Sequence, residues 1–195
     1  MRSFRRLLQH STPRHLWPWP STGSKRQPDE EGHAALVRTL SGAPRDLRCW
    51  TFLAAPSPLA FWARRQVHET AIHRVDAQVA AGQPITSIAS RFAADGIDEL
   101  LTGLFGREAP DPPTGEVVGI IGFEPTDWTA GWTVRILANR LEAAPGLGPC
   151  DVTIRASAEV LYLLLWNRRS EAGLDLTGRV ELLETWRDRC RVTWS

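Results

Sequence analysis

Glu69 and His73 stand four residues apart in an unbroken helix-forming stretch, which stacks a carboxylate and an imidazole one turn apart on one helix face. Both groups can reach the same point a few ångströms off the helix, and both are donors that zinc and similar divalent ions accept. A metal site would need a third ligand from elsewhere in the chain. The plain alternative is an ordinary Glu/His contact at the edge of a core face, because i,i+4 pairs are abundant. His68 and His73 are spaced one residue too widely for the His-Glu-x-x-His pattern of zinc proteases, so that chemistry is excluded.

The helix that must position the pair covers residues 59–81. It is rich in Ala, Arg, Gln and Glu, is entered at Pro58, and meets neither Gly nor Pro until Gly82. At about 100° per residue, Val67, Ala71, Ile72, Val75 and Val79 form an apolar arc, with Arg65, Glu69, His73, Asp76 and Ala80 as the stripe beside it. Arg64 and His68 also fall within the arc, where a charged or titratable group needs a partner. His68 reads more simply as a satisfied core histidine than as a ligand. Glu69 and His73 are expected to share one open space, with Arg64 and His68 facing the second domain.

Around this helix the chain divides into three parts. Residues 1–28, with Pro13, Pro18, Pro20 and Pro28 among Ser and Gly, read as a disordered leader. Residues 29–85 form a helical region: Asp29, Glu30 and Glu31 open a first helix that Gly42 stops, and Leu36, Val37 and Leu40 give it an apolar side. The connector at 44–58 carries Cys49-Trp50-Thr51-Phe52-Leu53, which should pack under the central helix. Residues 86–195 form an α+β domain. A helix is expected at 88–105, with Ile97, Leu100, Leu101 and Leu104 on one side and Asp95-Gly96 as a weak point. A turn at 111–115 leads into strands at 117–123, 132–137 and 152–156, and the period of two in Val134/Ile136 and Val152/Ile154 points to an antiparallel sheet with one buried face. An apolar helix at 158–166, a strand at 174–177, a closing helix at 180–190 and a short tail complete the chain.

Three longer stretches carry a resemblance. Phe61-Trp62-x-Arg64-Arg65-x-x-His68-Glu69-x-x-x-His73-Arg74-x-Asp76-Ala77, then Ala94-Asp95-Gly96-Ile97-Asp98-Glu99-Leu100-Leu101, then Leu163-Leu164-Leu165-Trp166-Asn167-Arg168 are similar, in matching order, to motifs of the mycothiol-dependent maleylpyruvate isomerase family. The resemblance covers residues 31–195. It implies a DinB-like four-helix bundle, here partial, followed by a small sterol-carrier-like α+β domain. It also implies a divalent metal, typically zinc, held by a histidine from an early helix together with Glu69 and His73. The implied activity is that of a metal-dependent, mycothiol-using isomerase or transferase acting by thiol addition. Arg168 sits where the family writes Trp-Gly-Arg and would meet an acidic substrate as a catalytic residue; its plainer reading is an arginine that ends a helix and complements the helix dipole. Asn167 replaces the family's glycine at that turn.

The unassigned imidazoles are His10, His15 and His33: neither His10 nor His15 carries the helical context of the family's first ligand, and His33, in the first turn of its own helix, is expected to be solvated. Two ligands hold zinc less well than three, so the chain as given is expected to bind zinc poorly and to be inactive by itself, as a shortened relative or one with a missing start. The competing class is a non-catalytic remnant or a small-molecule binding module built on residues 86–195. A formal net charge of +1 gives no electrostatic reason to expect nucleic acid as partner. No run of about 18 apolar residues could span a membrane. Cys49, Cys150 and Cys190 form no C-x-x-C and are too few for a disulfide scaffold, which fits a reducing cytoplasm.

Overall fold

The computed structural model describes residues 29–105, 116–138 and 140–190. The leader at 1–28 with His10 and His15, the turn at 111–115 and the tail after Cys190 lie outside the described residues. The chain forms two compact units, residues 1–44 and 45–195. In the first, α1 (Asp29–Gly42) is the described element. Its Leu36 and Leu40 are half-buried, and His33 is exposed as expected.

The second unit is built on α2 (Pro58–Ala80), a helix of 23 residues. Ser57 sets its start: the backbone there is extended, and the hydroxyl accepts a hydrogen bond from the Ala60 N–H at 3.1 Å while Pro58 occupies the first turn. The buried face is Phe61, Arg65, His68, Ile72 and Val75. That stripe differs from the expected arc, because Val67 and Val79 are 49% and 58% exposed. It is Arg65, rather than Arg64, that is fully buried. The connector packs as expected, with the Phe52 ring 4.7 Å from Phe61 and 6.1 Å from Trp62.

The helix expected at 88–105 consists of α3 (Ser90–Asp98) followed by a π-helical turn (Glu99–Leu104). The wider turn buries Glu99, Leu100 and Leu101 in succession. Next come β1 (Val117–Pro125), β2 (Trp132–Leu137), β3 (Leu141–Pro145) and β4 (Val152–Ala156), then α4 (Ala158–Leu165), β5 (Asp175–Gly178) and α5 (Leu182–Arg189). The five strands form one sheet in the order β3-β2-β1-β4-β5. Three pairings are antiparallel, as expected, but β1 and β4 run parallel, so the sheet is mixed. The reason is the connection at 146–151: it carries the chain from β3, which already runs in the direction of β1, across to the other side of β1, so β4 enters the sheet in that same direction. The fold class is α+β.

The core is the layer between the sheet and helices α3 and α4. Ile121, Phe123, Val134, Ile136, Val152 and Ile154 face Ile97, Leu100, Leu161 and Leu165, and Ile72 and Val75 of α2 join the same cluster. The Asp95-Gly96 step, expected as a weak point, is the place of closest approach. A Cβ on Gly96 would overlap the Tyr162 ring and come within 2.8 Å of His68 Cε1. Gly96→Ala should therefore destabilise by about 1–3 kcal/mol despite its better helix propensity. The expected readout is a melting temperature lowered by about 3–10 °C. An unchanged melt would mean that the three helices are packed less tightly than described.

Candidate functional site

Helix α2 presents Glu69 and His73 side by side on its accessible flank. His73 Nε2 lies 3.5 Å from Glu69 Oε2; His73 is 60% exposed and Glu69 18%. A tetrahedral zinc bound at about 2 Å by each of two donors separates them by about 3.3 Å. These two atoms therefore fit a shared divalent cation as two of its ligands. Among the described residues no set of three His, Cys, Asp or Glu side chains comes together as a metal site.

Each ligand candidate has a charged neighbour behind it. Arg65, one turn before Glu69, donates through Nε at 3.1 Å and through Nη2 to the same oxygen, Oε1. The other end of that guanidinium is hydrogen-bonded through Nη1 to Glu99 Oε2. Arg65 and Glu99 are 4% and 2% exposed, and the guanidinium lies over the buried Trp166 ring, 5.1 Å from its centroid. On the His73 side, Asp76 Oδ2 stands 3.8 Å from Nδ1.

Arg168 reaches this cluster from the end of α4. Its Nε and Nη2 donate to the two oxygens of Asp76 at 2.6 and 2.8 Å, a forked pair. Nη1 donates to the Trp166 carbonyl at 2.8 Å, so Arg168 also caps the helix end. Asn167, the departure from Trp-Gly-Arg, adopts φ 58°. The Asn167 N–H bonds Leu164 O at 3.0 Å and the Arg168 N–H bonds Leu163 O at 2.8 Å, the double bond pattern that a glycine usually closes. Asparagine tolerates that conformation better than most residues, so the turn forms without glycine. Arg168 holds Asp76 below the usual carboxylate range.

Arg64 and His68 are turned towards residues of the 86–195 stretch, as expected: Arg64 towards α3, His68 towards α3 and α4. His68, 1% exposed, places Nε2 2.8 Å from Asp95 Oδ2 and Nδ1 3.2 Å from the Tyr162 hydroxyl. The Tyr162 hydroxyl also donates to the His68 carbonyl at 3.5 Å. Burial raises the Tyr162 pKa, which keeps that hydroxyl a donor. Arg64 bonds Asp95 at 2.9 Å and Asp98 at 3.1 Å. His68 is thus a satisfied core histidine that ties α2 to α3 and α4, with no part in the Glu69–His73 pair.

Glu99 and Asp95 escaped the sequence reading, and so did the burial of Arg65. The available signal was an acid inside the apolar run Ile97–Leu101 together with a second arginine beside Arg64, each needing a partner. The π-helical turn that brings Glu99 inward has no comparable mark.

Residues 7–78 match the family model described as the Mycothiol maleylpyruvate isomerase N-terminal domain, and residues 91–185 match the MDMPI C-terminal domain. The chain belongs to the mycothiol-dependent maleylpyruvate isomerase family. The N-terminal match reaches back to residue 7, well before the start at Glu31 that the motifs marked. No protein of curated function matches the chain in sequence at a significant level. Among solved structures, Sterol Carrier Protein 2 Like 2 from Aedes aegypti aligns at 16% identity over 51% of this chain and 98% of its own, with a TM-score of 0.37. Sterol Carrier Protein-2 from Aedes aegypti, in complex with palmitate, aligns at 15% over 53% and 94%, with a TM-score of 0.36. The sec-alkylsulfatase Pisa1 from Pseudomonas sp. aligns at 14% over 40% of this chain, TM-score 0.35, and the chain spans 13% of its length. None of these likenesses carries a functional argument. Among the described residues no helix is long and apolar enough to cross a membrane.

Hydrogen bonds from His68, and after it from Arg64, hold Asp95 below the usual carboxylate range. A carboxylate whose pKa is lower folded than unfolded adds stability above its unfolded value, and that stability is lost as pH falls through the folded one. The window opens below about pH 4. Thermal melts of Asp95→Asn and Asp76→Asn should fall less steeply than wild type between about pH 5 and pH 2. Parallel slopes for all three proteins would show that neither carboxylate is held in this way.

Proposed function

We propose that the chain works with a divalent metal, zinc foremost, on Glu69 and His73, and with a thiol cofactor of the mycothiol type, as an isomerase or transferase of small carboxylate-bearing substrates. The observation that carries this reading is the 3.5 Å spacing of Glu69 Oε2 and His73 Nε2 on an accessible flank. When bound, the metal would lower the pKa of the cofactor thiol and hold it as thiolate.

The remaining work falls to the chain's own side chains. Arg65 occupies one oxygen of Glu69 and leaves the other towards His73. Asp76 stands on the Nδ1 side of His73, where a carboxylate orients an imidazole whose other nitrogen binds metal. Arg168 spends part of its fork on Asp76, and its remaining N–H groups can take a substrate carboxylate; this makes it the candidate catalytic residue. All three cysteines are free thiols, in keeping with a reducing cytoplasm. The alternative, a binding module resting on the C-terminal domain, has less behind it. One cavity among its described residues, lined by Ile154, Leu164, Glu171, Leu183, Trp186 and Arg187, measures about 10 Å³, room for about one water.

Zinc titration by calorimetry tests the reading. We expect weak one-to-one binding by the wild-type chain, because two protein ligands hold the ion less well than three. Glu69→Gln or His73→Ala should abolish it, and a small thiol in the buffer should strengthen it. Binding that neither substitution weakens would overturn the assignment.

A further inference from the structure

Burying Arg65 against Glu99 is costly, since two desolvated charges rarely outdo a well-packed apolar pair of the same volume. Leu100 and Leu101, next to Glu99 in the chain, are buried with it, and the buried Trp166 ring covers the guanidinium. What an apolar pair could not do is act on Glu69. Arg65 bonds Oε1 of that carboxylate twice, and its own position is fixed from behind by Glu99 and from the side by the Trp166 ring. With one oxygen held by two donors on the same guanidinium edge, the rotation of the Glu69 carboxylate is restricted, and Oε2 is left facing His73 Nε2.

We infer that Arg65, anchored by the buried Glu99, is the positioning residue of Glu69: it ties one carboxylate oxygen and presents the other for a metal shared with His73. This rests on the reading that Glu69 and His73 hold a metal. The planar guanidinium suits the task, because its fork spans Glu69 and Glu99 at once and it stays charged at any working pH. A lysine at the same position could offer a point charge to one of the two carboxylates, but it could not bridge both in a fixed plane. Partners of this kind behind a metal ligand are worth about 10- to 100-fold in metal affinity.

Cobalt(II) replaces zinc in the test, since its visible absorption reports coordination geometry independently of turnover. The variants are Arg65→Met/Glu99→Leu, which keeps an apolar interior together with Glu69 and His73; Arg65→Lys; and the ligand variant His73→Ala. The double variant should remain folded by circular dichroism, bind cobalt about 10- to 100-fold more weakly than wild type, and show an altered spectrum. Arg65→Lys should recover thermal stability better than it recovers affinity. A folded double variant with wild-type affinity and spectrum overturns the inference and leaves the metal reading standing. Should the double variant not fold, Arg65→Lys decides: full wild-type affinity and spectrum in that protein equally overturn it. A wild-type chain whose cobalt binding is absent, or unchanged by His73→Ala, instead removes the metal reading on which the inference rests.

Discussion

The Arg65 guanidinium is held between two carboxylates and an indole ring, and the second unit is arranged around the need to satisfy it. A charge buried to this degree without partners would cost several kcal/mol. The chain meets that demand from three elements. Glu69 comes from the next turn of α2, Glu99 from the π-helical turn after α3, and Trp166 from the end of α4. The π-helical turn is part of the solution, since the extra residue per turn brings Glu99 inward beside Leu100 and Leu101. An α-helical continuation would space these side chains differently around the axis.

One turn further along α2, at His68, that helix meets α3 and α4. There Asp95 of α3 and Tyr162 of α4 take the two imidazole nitrogens, and Gly96 lets the backbone approach both rings. Below these polar contacts lies the apolar layer against the sheet, and above them lies the flank with Glu69, His73, Asp76 and Arg168. The contacts along that flank run in sequence from Arg168 through Asp76, His73, Glu69 and Arg65 to Glu99. A residue at the end of α4 is thereby linked to the candidate ligands without touching them.

Much of this was legible in the residues. Pro58 and Gly82 bracket α2, the four-residue spacing of Glu69 and His73 puts them within 3.5 Å, and alternation in Val134/Ile136 and Val152/Ile154 marks two central strands. What stayed hidden depends on partners far away in sequence. Val67 and Val79 looked like core and are exposed, because the helix turns its Phe61–Val75 stripe inward to suit α3 and α4. Strand β3, Leu-Glu-Ala-Ala-Pro, lacks β-branched residues and exists because β2 offers it an edge. The parallel pairing of β1 with β4 leaves no local trace at all. Asn167, standing where the family has glycine, takes the left-handed conformation that the turn requires.

The central claim is that Arg65 and Glu99 act as one buried unit on which the packing of α2 against the π-helical turn and α4 depends. A double-mutant cycle in chemical denaturation measures this directly, using Arg65→Met, Glu99→Leu and the two together. Arg65→Met strands the buried Glu99 and should cost about 3–5 kcal/mol, Glu99→Leu leaves Arg65 with Glu69 alone and should cost less, and the double variant should cost less than the sum of the two. We expect a coupling energy above about 2 kcal/mol. Single effects that add to within about 0.5 kcal/mol would contradict the account, since residues that do not depend on one another behave in that way.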